Sequence, residues 1–384
     1  MSNVTNISDP IPMLDLRSEV EGLWDEVASA VDRVLRSGQY IGGPEVHQFE
    51  QEVADFLGVE HAVSVNSGTD ALVIGLRAAG VGPGDEVITT PYTFFATVEA
   101  IVHVGARPVF VDIAKDGFNI DVAAIDTAVT ERTKAVLPVH LFGEPVPLAP
   151  LLEVARARGL IVVEDCAQAF GATYPGSNPG IGAGSQRVGS GGHVAAFSFY
   201  PTKNLGAYGD GGLVATNDGV IAETARRLRN HASDPTSKYV HRDIGYNSRL
   251  DELQAAVLRV KLPYVDAWNQ RRREVARRYG GLLVGMPELV LPRVSPGHVF
   301  HQYTVRARPE LRDALRVRLA EEGIGTSVFY PPAVDAWPEA VADGAQACFR
   351  AAAASREVLS LPIFPQLSER QQKRVADVVS THLR

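Results

Sequence analysis

Two cysteines, Cys166 and Cys348, are all that this chain of 384 residues has. Two cannot build a disulfide framework, and neither belongs to a Cys-x-x-Cys pair, so a stapled scaffold and a structural zinc site are both unexpected. Positive charge is also short. The 37 Lys and Arg stand against 45 Asp and Glu, a net charge of −8. A chain of that sign has no general attraction to nucleic acid or to an anionic membrane surface. Its two basic runs, "RLRNH" at Arg227–His231 and "NQRRREVARR" at Asn269–Arg278, are local and read as solvated helix faces. No apolar run approaches the roughly 18 residues of a membrane span. The opening "MSNVTNISDPIPMLDL" lacks the basic-then-apolar order of a secretory leader. These absences point to a soluble protein of a reducing compartment, with the cytoplasm as the expected location. Repeats and low-complexity tracts are missing too; Gly176–Gly192 is rich in glycine and reads as a mobile loop.

What is present is apolar material, 45% of the residues, enough for a large core. From about residue 60, strand and helix signals alternate. "HAVSV", "DEVITTP", "RPVFVDI", "TKAVLPVHL" and "LIVVEDC" read as strands, and "HVAAFSF" and "GGLVATN" follow. Between the first five lie helical stretches at "NSGTDALVIGLRAAG", at "TFFATVEAIVHVG", and near 121–129 and 147–158. The strands are apolar on both faces, as in a parallel sheet covered by helices, so the fold class is α/β. Near Leu250 the character changes to a long helical stretch interrupted by Pro263. Beyond it come "HQYTVRA" (strand), "ELRDALRVRLAEEG" (helix), "TSVFY" (strand) and a last helix near 367–382. The expected organisation is a large domain over 1–250 with an N-terminal arm. A bridging helix and a small α+β domain would fill 251–384.

Chemistry gathers at the ends of the predicted strands, where open α/β sheets place their ligands. "SFYPTKNLGAYGDGG" holds one lysine, Lys203, at the end of a core strand among small and turn-forming residues. Burial lowers a lysine's pKa, and a neutral amine attacks carbonyls. "VVEDCAQAFGA" ends an apolar strand on Glu164 and Asp165. A buried Asp165 needs a cation, either a structural arginine or a protonated ring nitrogen. "NSGTDAL", residues 66–72, opens a helix with hydroxyl residues and offers a phosphate its N–H groups, or is an ordinary cap. In "GYNSRLDELQAA" Asn247 precedes the long helix and reads as its cap. A lysine for an aldehyde, an aspartate for a pyridinium and a helix start for a phosphate are together the demands of pyridoxal 5′-phosphate.

With these stretches in view, the chain resembles the DegT/DnrJ/EryC1/StrS family of sugar-nucleotide aminotransferases. The resemblance is carried by "SGTDAL", "TTPYTFFATVEAI", "VFVDI", "VVEDCAQAFGATY", "FSFYPTKNLGAYGDGGLVAT", "GYNSRLDELQAA", "GIGTSVFYP" and "EVLSLPIFP", in order from about residue 12 to the end. It implies the aspartate-aminotransferase-like fold (fold type I) and a homodimer with shared active sites. The implied cofactor is pyridoxal 5′-phosphate, cycling through pyridoxamine 5′-phosphate. On this resemblance Lys203 would hold the cofactor as a Schiff base and move the proton, Asp165 would face the ring nitrogen and Gln168 the ring hydroxyl. Phe94 would stack on the ring. Gly68, Thr69 and Ser198 would hold the phosphate, Asn247 would reach the neighbouring subunit's cofactor, and Tyr330 would stand near the substrate. The amino donor would be an amino acid, glutamate by expectation, and the acceptor a nucleotide-linked keto sugar of deoxysugar or antibiotic biosynthesis. "NSRLD" resembles members that aminate the 3-keto position, with a thymidine diphosphate sugar favoured; a 4-keto acceptor is the alternative.

Three departures concern substrate recognition and subunit packing. Many relatives read "GxPxDM" where this chain has "GEPVPL" at Gly143–Leu148, a histidine after "YP" is missing from "FYPPAVDAW", and Ala352 stands where a glutamate is common. Relatives that remove a sugar hydroxyl carry histidine at the lysine position, so Lys203 argues for transamination. A nicotinamide-dependent oxidoreductase would need a better fingerprint than "GIGAGS" at Gly180–Ser185, which misses the last glycine of G-x-G-x-x-G and follows no strand. A cofactor-binding regulator would need a DNA-binding element, and no helix-turn-helix or basic extension is visible.

Overall fold

The computed structural model describes residues 9–175, 187–234, 237–241, 243–334 and 347–383. The "GIGAGS" stretch, most of the glycine-rich 176–192 segment and "DAW" after "FYPPAV" lie outside the described residues.

Seven strands form the central sheet: β1 His61–Val65, β2 Glu86–Thr89, β3 Arg107–Phe110, β4 Thr133–Val136, β5 Ile161–Asp165, β6 Val194–Ser198 and β7 Gly212–Thr216. Their order is β1-β7-β6-β5-β4-β2-β3, and only β7 runs against its neighbours. The strands are short, and β1, β2, β5, β6 and β7 are buried almost throughout, as double-sided apolar runs predict. Two cores flank the sheet. Val63, Val87, Val163, Val194 and Val214 point to one side, under helices α3 (Gly68–Ala78) and α4 (Phe95–His103). Ile88, Val136, Val162, Phe197 and Leu213 point to the other, under α2 (Pro44–Leu57) and α6 (Leu148–Arg158). Helix α5 covers Val122–Ala128 and α7 Gly219–Leu228. The fold is the mostly parallel α/β architecture of fold type I.

The long C-terminal helical stretch breaks where proline demands. Helix α8 (Glu252–Lys261) passes through a 3-10 turn at Leu262–Tyr264 into α9 (Val265–Leu283). Helix α8 packs on α2 and on α1 (Leu16–Ser37). The far end of α9 supplies Val275, Ala276, Tyr279 and Leu283 to a third core. That core also takes Ile11, Phe300, Tyr303 and Leu361, so the N-terminal residues cross to the C-terminal part of the chain. Ile11 bridges Ile324 there. "TSVFY" is not the expected strand: it makes one bridge, Ser327 to Ser360, and the partner of β8 (Tyr303–Arg306) is Val358–Leu361 instead. The basic runs are less solvated than expected. Arg229 turns inward to Glu50 and the Ser64 carbonyl, and Arg272 is buried, donating to the Phe300 and Ile363 carbonyls. Both use a guanidinium to satisfy interior acceptors that an apolar side chain would strand.

Glu252 ties the start of α8 to the start of α2. Helix α2 starts at Gly43, which has no side chain to cap it. The buried Glu252 carboxylate does so instead, accepting from the Gly43, Glu45 and Val46 N–H groups at 2.8, 2.9 and 3.1 Å. Replacing Glu252 by alanine leaves three donors at a buried helix start, a cost of about 1–3 kcal/mol. The expected result is a lowered Tm with the site chemistry intact. An unchanged Tm would mean that water caps this helix just as well.

Candidate active site

The register of β7 builds the first wall of the site. Gly212 stands opposite Val65 on one side and Ser198 on the other. A Cβ on Gly212 would lie 2.2 Å from the Ser67 carbonyl oxygen, and one on Gly68 would lie 2.6 Å from the Ser198 Cβ. Only glycine lets these strand ends close on each other. Ser67 caps α3, its Oγ accepting from the Asp70 N–H at 3.1 Å, and the helix's own ladder begins with Ala71 on the Ser67 carbonyl. The Gly68 and Thr69 N–H groups are therefore left at the cavity wall, beside the Ser198 hydroxyl, at the positive end of the helix.

Strand β5 delivers the acid. Alternation sends Glu164 and Asp165 to opposite faces. Glu164 is wholly buried and fully engaged, with His140 Nε2 at 2.9 Å, the Tyr174 hydroxyl, and the Gly192 N–H at 2.7 Å. His140 Nδ1 accepts from Val146 N–H, so its Nε2 carries the proton and Glu164 accepts it. These bonds hold the Glu164 carboxyl below its usual range despite burial. Asp165 faces the cavity. Its Oδ1 accepts from the Ala167 N–H at 3.1 Å and its Oδ2 from the Thr97 hydroxyl at 2.8 Å, and Thr97 is bonded in turn to Thr93. Burial pushes the Asp165 carboxyl up, against those bonds and the Lys203 charge. Among the described residues its partners include no arginine, so a structural arginine does not explain it.

Lys203 sits in the turn after β6, its N–H on the Tyr200 carbonyl at 2.8 Å. Removal from water lowers its ammonium to about 8, and Asp165 opposes that shift. A substantial neutral fraction near physiological pH is what a nucleophilic amine requires.

Across the cavity, the Gln168 amide is fixed at both ends: its Oε1 accepts from Phe142 N–H at 2.7 Å and its Nε2 donates to the Tyr330 hydroxyl at 2.8 Å. Tyr330 also lies against Phe94, ring centres 5.8 Å apart, and Phe94 is more than half exposed at the rim. Lys203, Asp165, Gly68, Thr69, Phe94, Gln168, Ser198 and Tyr330 thus line one cavity of about 320 Å³. A larger cavity of about 460 Å³ is also lined by a lysine and an aspartate, Lys115 and Asp116, but both are exposed and Asp116 pairs with Arg293 at 3.3 Å. Asn247 is not among the residues lining this cavity in its own chain. It is exposed and bridges Asn230, and it does not cap the helix either: Asp251 does, accepting from Gln254 N–H at 2.7 Å. Sequence reasoning passed over Thr97, Thr93, His301 and Gln302. Thr97 lies within an apolar helix pattern, and His301 heads a strand read only for its periodicity.

The donor set fits a phosphate-bearing aldehyde. Two helix-start N–H groups and a hydroxyl suit the phosphate, a desolvated lysine the aldehyde, and a carboxylate without a cation beyond Lys203 a protonated ring nitrogen.

Known proteins agree. The S. venezuelae DesV structure in complex with a ketimine intermediate superposes with a TM-score of 0.91 at 45% identity, covering 98% of this chain and 99% of that one. The dTDP-3-amino-3,4,6-trideoxy-alpha-D-glucose transaminase of Streptomyces venezuelae is 46% identical over 375 residues, 96% of this chain and 95% of its own. A pleiotropic regulatory protein of Geobacillus stearothermophilus is also 46% identical, over 97% of this chain and 99% of its own. The model of the DegT/DnrJ/EryC1/StrS aminotransferase family matches residues 23–380, and the chain that carries this lysine, aspartate and helix-start cradle belongs to that family.

Proposed function

We propose that the chain is a pyridoxal 5′-phosphate-dependent aminotransferase that moves an amino group from an amino acid, glutamate, to a nucleotide-linked keto sugar. The favoured acceptor is the 3-keto position of a thymidine diphosphate sugar. The observation that carries the reading is the convergence of Lys203 and Asp165 on one cavity whose wall is the start of α3. Bound there, the cofactor supplies an aldehyde for amine exchange and a ring that withdraws electrons from the reacting carbon.

This chain's residues do the rest. Gly68 and Thr69 N–H and the Ser198 hydroxyl bind the phosphate. Asp165, held by Thr97 and Ala167, keeps a positive charge at the ring nitrogen. Gln168 reaches the ring hydroxyl, Phe94 covers the ring face, and Tyr330 stands where the sugar enters. Lys203 would tether the cofactor, and its free amine would carry the proton as base and then acid. One site takes donor and acceptor in turn, which gives ping-pong kinetics.

The 3-keto preference rests on "NSRLD" and on the name of the 46% identical transaminase. Assaying 3-keto and 4-keto nucleotide sugars side by side with glutamate tests it; preferred amination at the 4-position would refute the assignment. A regulator remains the second reading, favoured by the name of the Geobacillus relative. Binding of cofactor without amino transfer to any keto sugar would support that reading.

The exposure of Asn247 outside its own cavity fits a homodimer in which it reaches the partner's phosphate. Mixing Lys203→Ala chains with Asn247→Ala chains puts both lesions in one site of a mixed dimer and none in the other. Activity should then return in part as subunits exchange. Mixed dimers without rescue would place Asn247 in its own chain's site or outside catalysis.

A further inference from the structure

The mechanism above leaves one buried titratable group in the cavity unused. His301 is 6% exposed and lines the catalytic cavity with Lys203. Its protonation can be worked out from fixed acceptors. The Phe170 carbonyl can only accept, and the Asn269 Nδ2 donates to it at 3.0 Å. Asn269 therefore turns its Oδ1 to Asn204, whose Nδ2 donates to that oxygen at 2.7 Å and to the Val299 carbonyl at 3.2 Å. With both hydrogens spent, Asn204 presents only its Oδ1 to His301 Nδ1, 3.1 Å away. The proton of that bond must come from the imidazole. Asn204 and Asn269 are both buried, 6% and 1% exposed, so water does not scramble the chain.

The ring is also kept uncharged. Burial, then the positive charges of Lys203 and Arg272, hold it well below the ordinary imidazole range. A neutral imidazole with its proton on Nδ1 has a lone pair on Nε2. We propose that His301 is a positioning residue for Lys203: locked as the Nδ1–H tautomer by Asn204 and Asn269, it offers Nε2 as the acceptor that orients the lysine amine while that amine carries the proton. A cationic imidazole would repel the ammonium, and the other tautomer would offer it a hydrogen. The amide chain excludes the second, and burial beside Lys203 and Arg272 excludes the first. Asn204 follows Lys203 directly in sequence, so the turn that carries the amine also carries the group that sets its neighbour.

The inference rests on the aminotransferase reading, and its tests separate from it. Histidine-selective 15N NMR of the holoenzyme reads the tautomer directly. Among the ten histidines, His301 is assigned by the signal lost in His301→Gln. An unprotonated Nε2 is expected; a protonated Nε2 overturns the proposal whatever the enzyme does. The second arm follows the absorbance of the bound cofactor in each half-reaction, with glutamate and then with a keto nucleotide sugar. Lys203 serves both halves, so a residue that positions it must affect both. His301→Asn fills the Nδ1 position but has no atom at the Nε2 position, and His301→Phe has no acceptor. Each should slow both halves by roughly 10²-fold, the effect of a misplaced catalytic group. His301→Gln, which can place an acceptor near Nε2, should recover most of that loss. Slowing confined to the sugar half would make His301 a substrate contact instead, and parent-like rates in the Asn and Phe variants would remove it from the mechanism. If the parent itself shows no absorbance change with glutamate or any other amino acid, the aminotransferase reading fails while the tautomer measurement still stands.

Discussion

Lys203→Ala should abolish turnover while leaving the fold in place. The substitution removes the tether for the cofactor and the group that moves the proton. A positioned acid–base group alone is worth about 10²–10⁴-fold. The combined loss should reach at least about 10⁴-fold, or some 5 kcal/mol of barrier. Stability should not follow activity. The Lys203 ammonium is held down to about 8 by removal from water, which means that its charged form is a burden the fold carries rather than a support. The side chain ends in a cavity, so truncation opens no new hole in either core. The measurements are single-turnover rates and the Tm of the purified variant. The visible absorption band of the parent, quenched by borohydride, should be missing from the variant. Near-native turnover without added amine would sink the mechanism.

The sequence carried most of this site because each part has a local signature. Lys203 stands alone among turn residues, Asp165 ends an apolar strand, and "SGTDAL" begins a helix with its own cap. Most of the seven strands were legible for the same reason, since burial on both faces demands uninterrupted apolar runs. The reversed direction of β7 was not, because chain direction within a sheet leaves no mark on five buried residues. Helices α1 and α2 precede the first strand signal, and α2 is capped by Glu252 from far along the chain. No local pattern announces such a cap. The "TSVFY" error has a related cause. Its β-rich residues pack as Val328, Phe329 and Tyr330 against a core and the cavity, so tertiary contacts use the same side chains that a strand would. Thr97 and His301 were hidden because a hydroxyl in an apolar helix and a histidine before a strand have ordinary structural explanations. Only the bonds to Asp165 and Asn204 give them direction.

Asp165→Asn should bind cofactor and lose most activity. The amide has the carboxylate's shape, and the site can accept it. If its Oδ1 keeps the Ala167 N–H, its Nδ2 faces the Thr97 oxygen, which can accept once that hydroxyl turns to Thr93. What disappears is the negative charge. An amide cannot hold a proton on the ring nitrogen, and the loss of a preorganised electrostatic partner costs roughly 10²–10³-fold. Without Asp165, Lys203 also loses the charge that props up its pKa, so its amine becomes less basic still. Stability should again move apart from rate. Burial raises the folded pKa of Asp165 above its unfolded value, so the unfolded state ionises first as pH rises. The carboxylate therefore withdraws stability above that range, and the apoprotein of Asp165→Asn should melt no lower than the parent near neutral pH. A variant that is stable, cofactor-bound and slow isolates the charge as the cause. Turnover within a few-fold of the parent would show that Asp165 is not the ring's partner. Glu164 could not take its place, because His140, Tyr174 and Gly192 already hold that carboxylate on the far side of the strand.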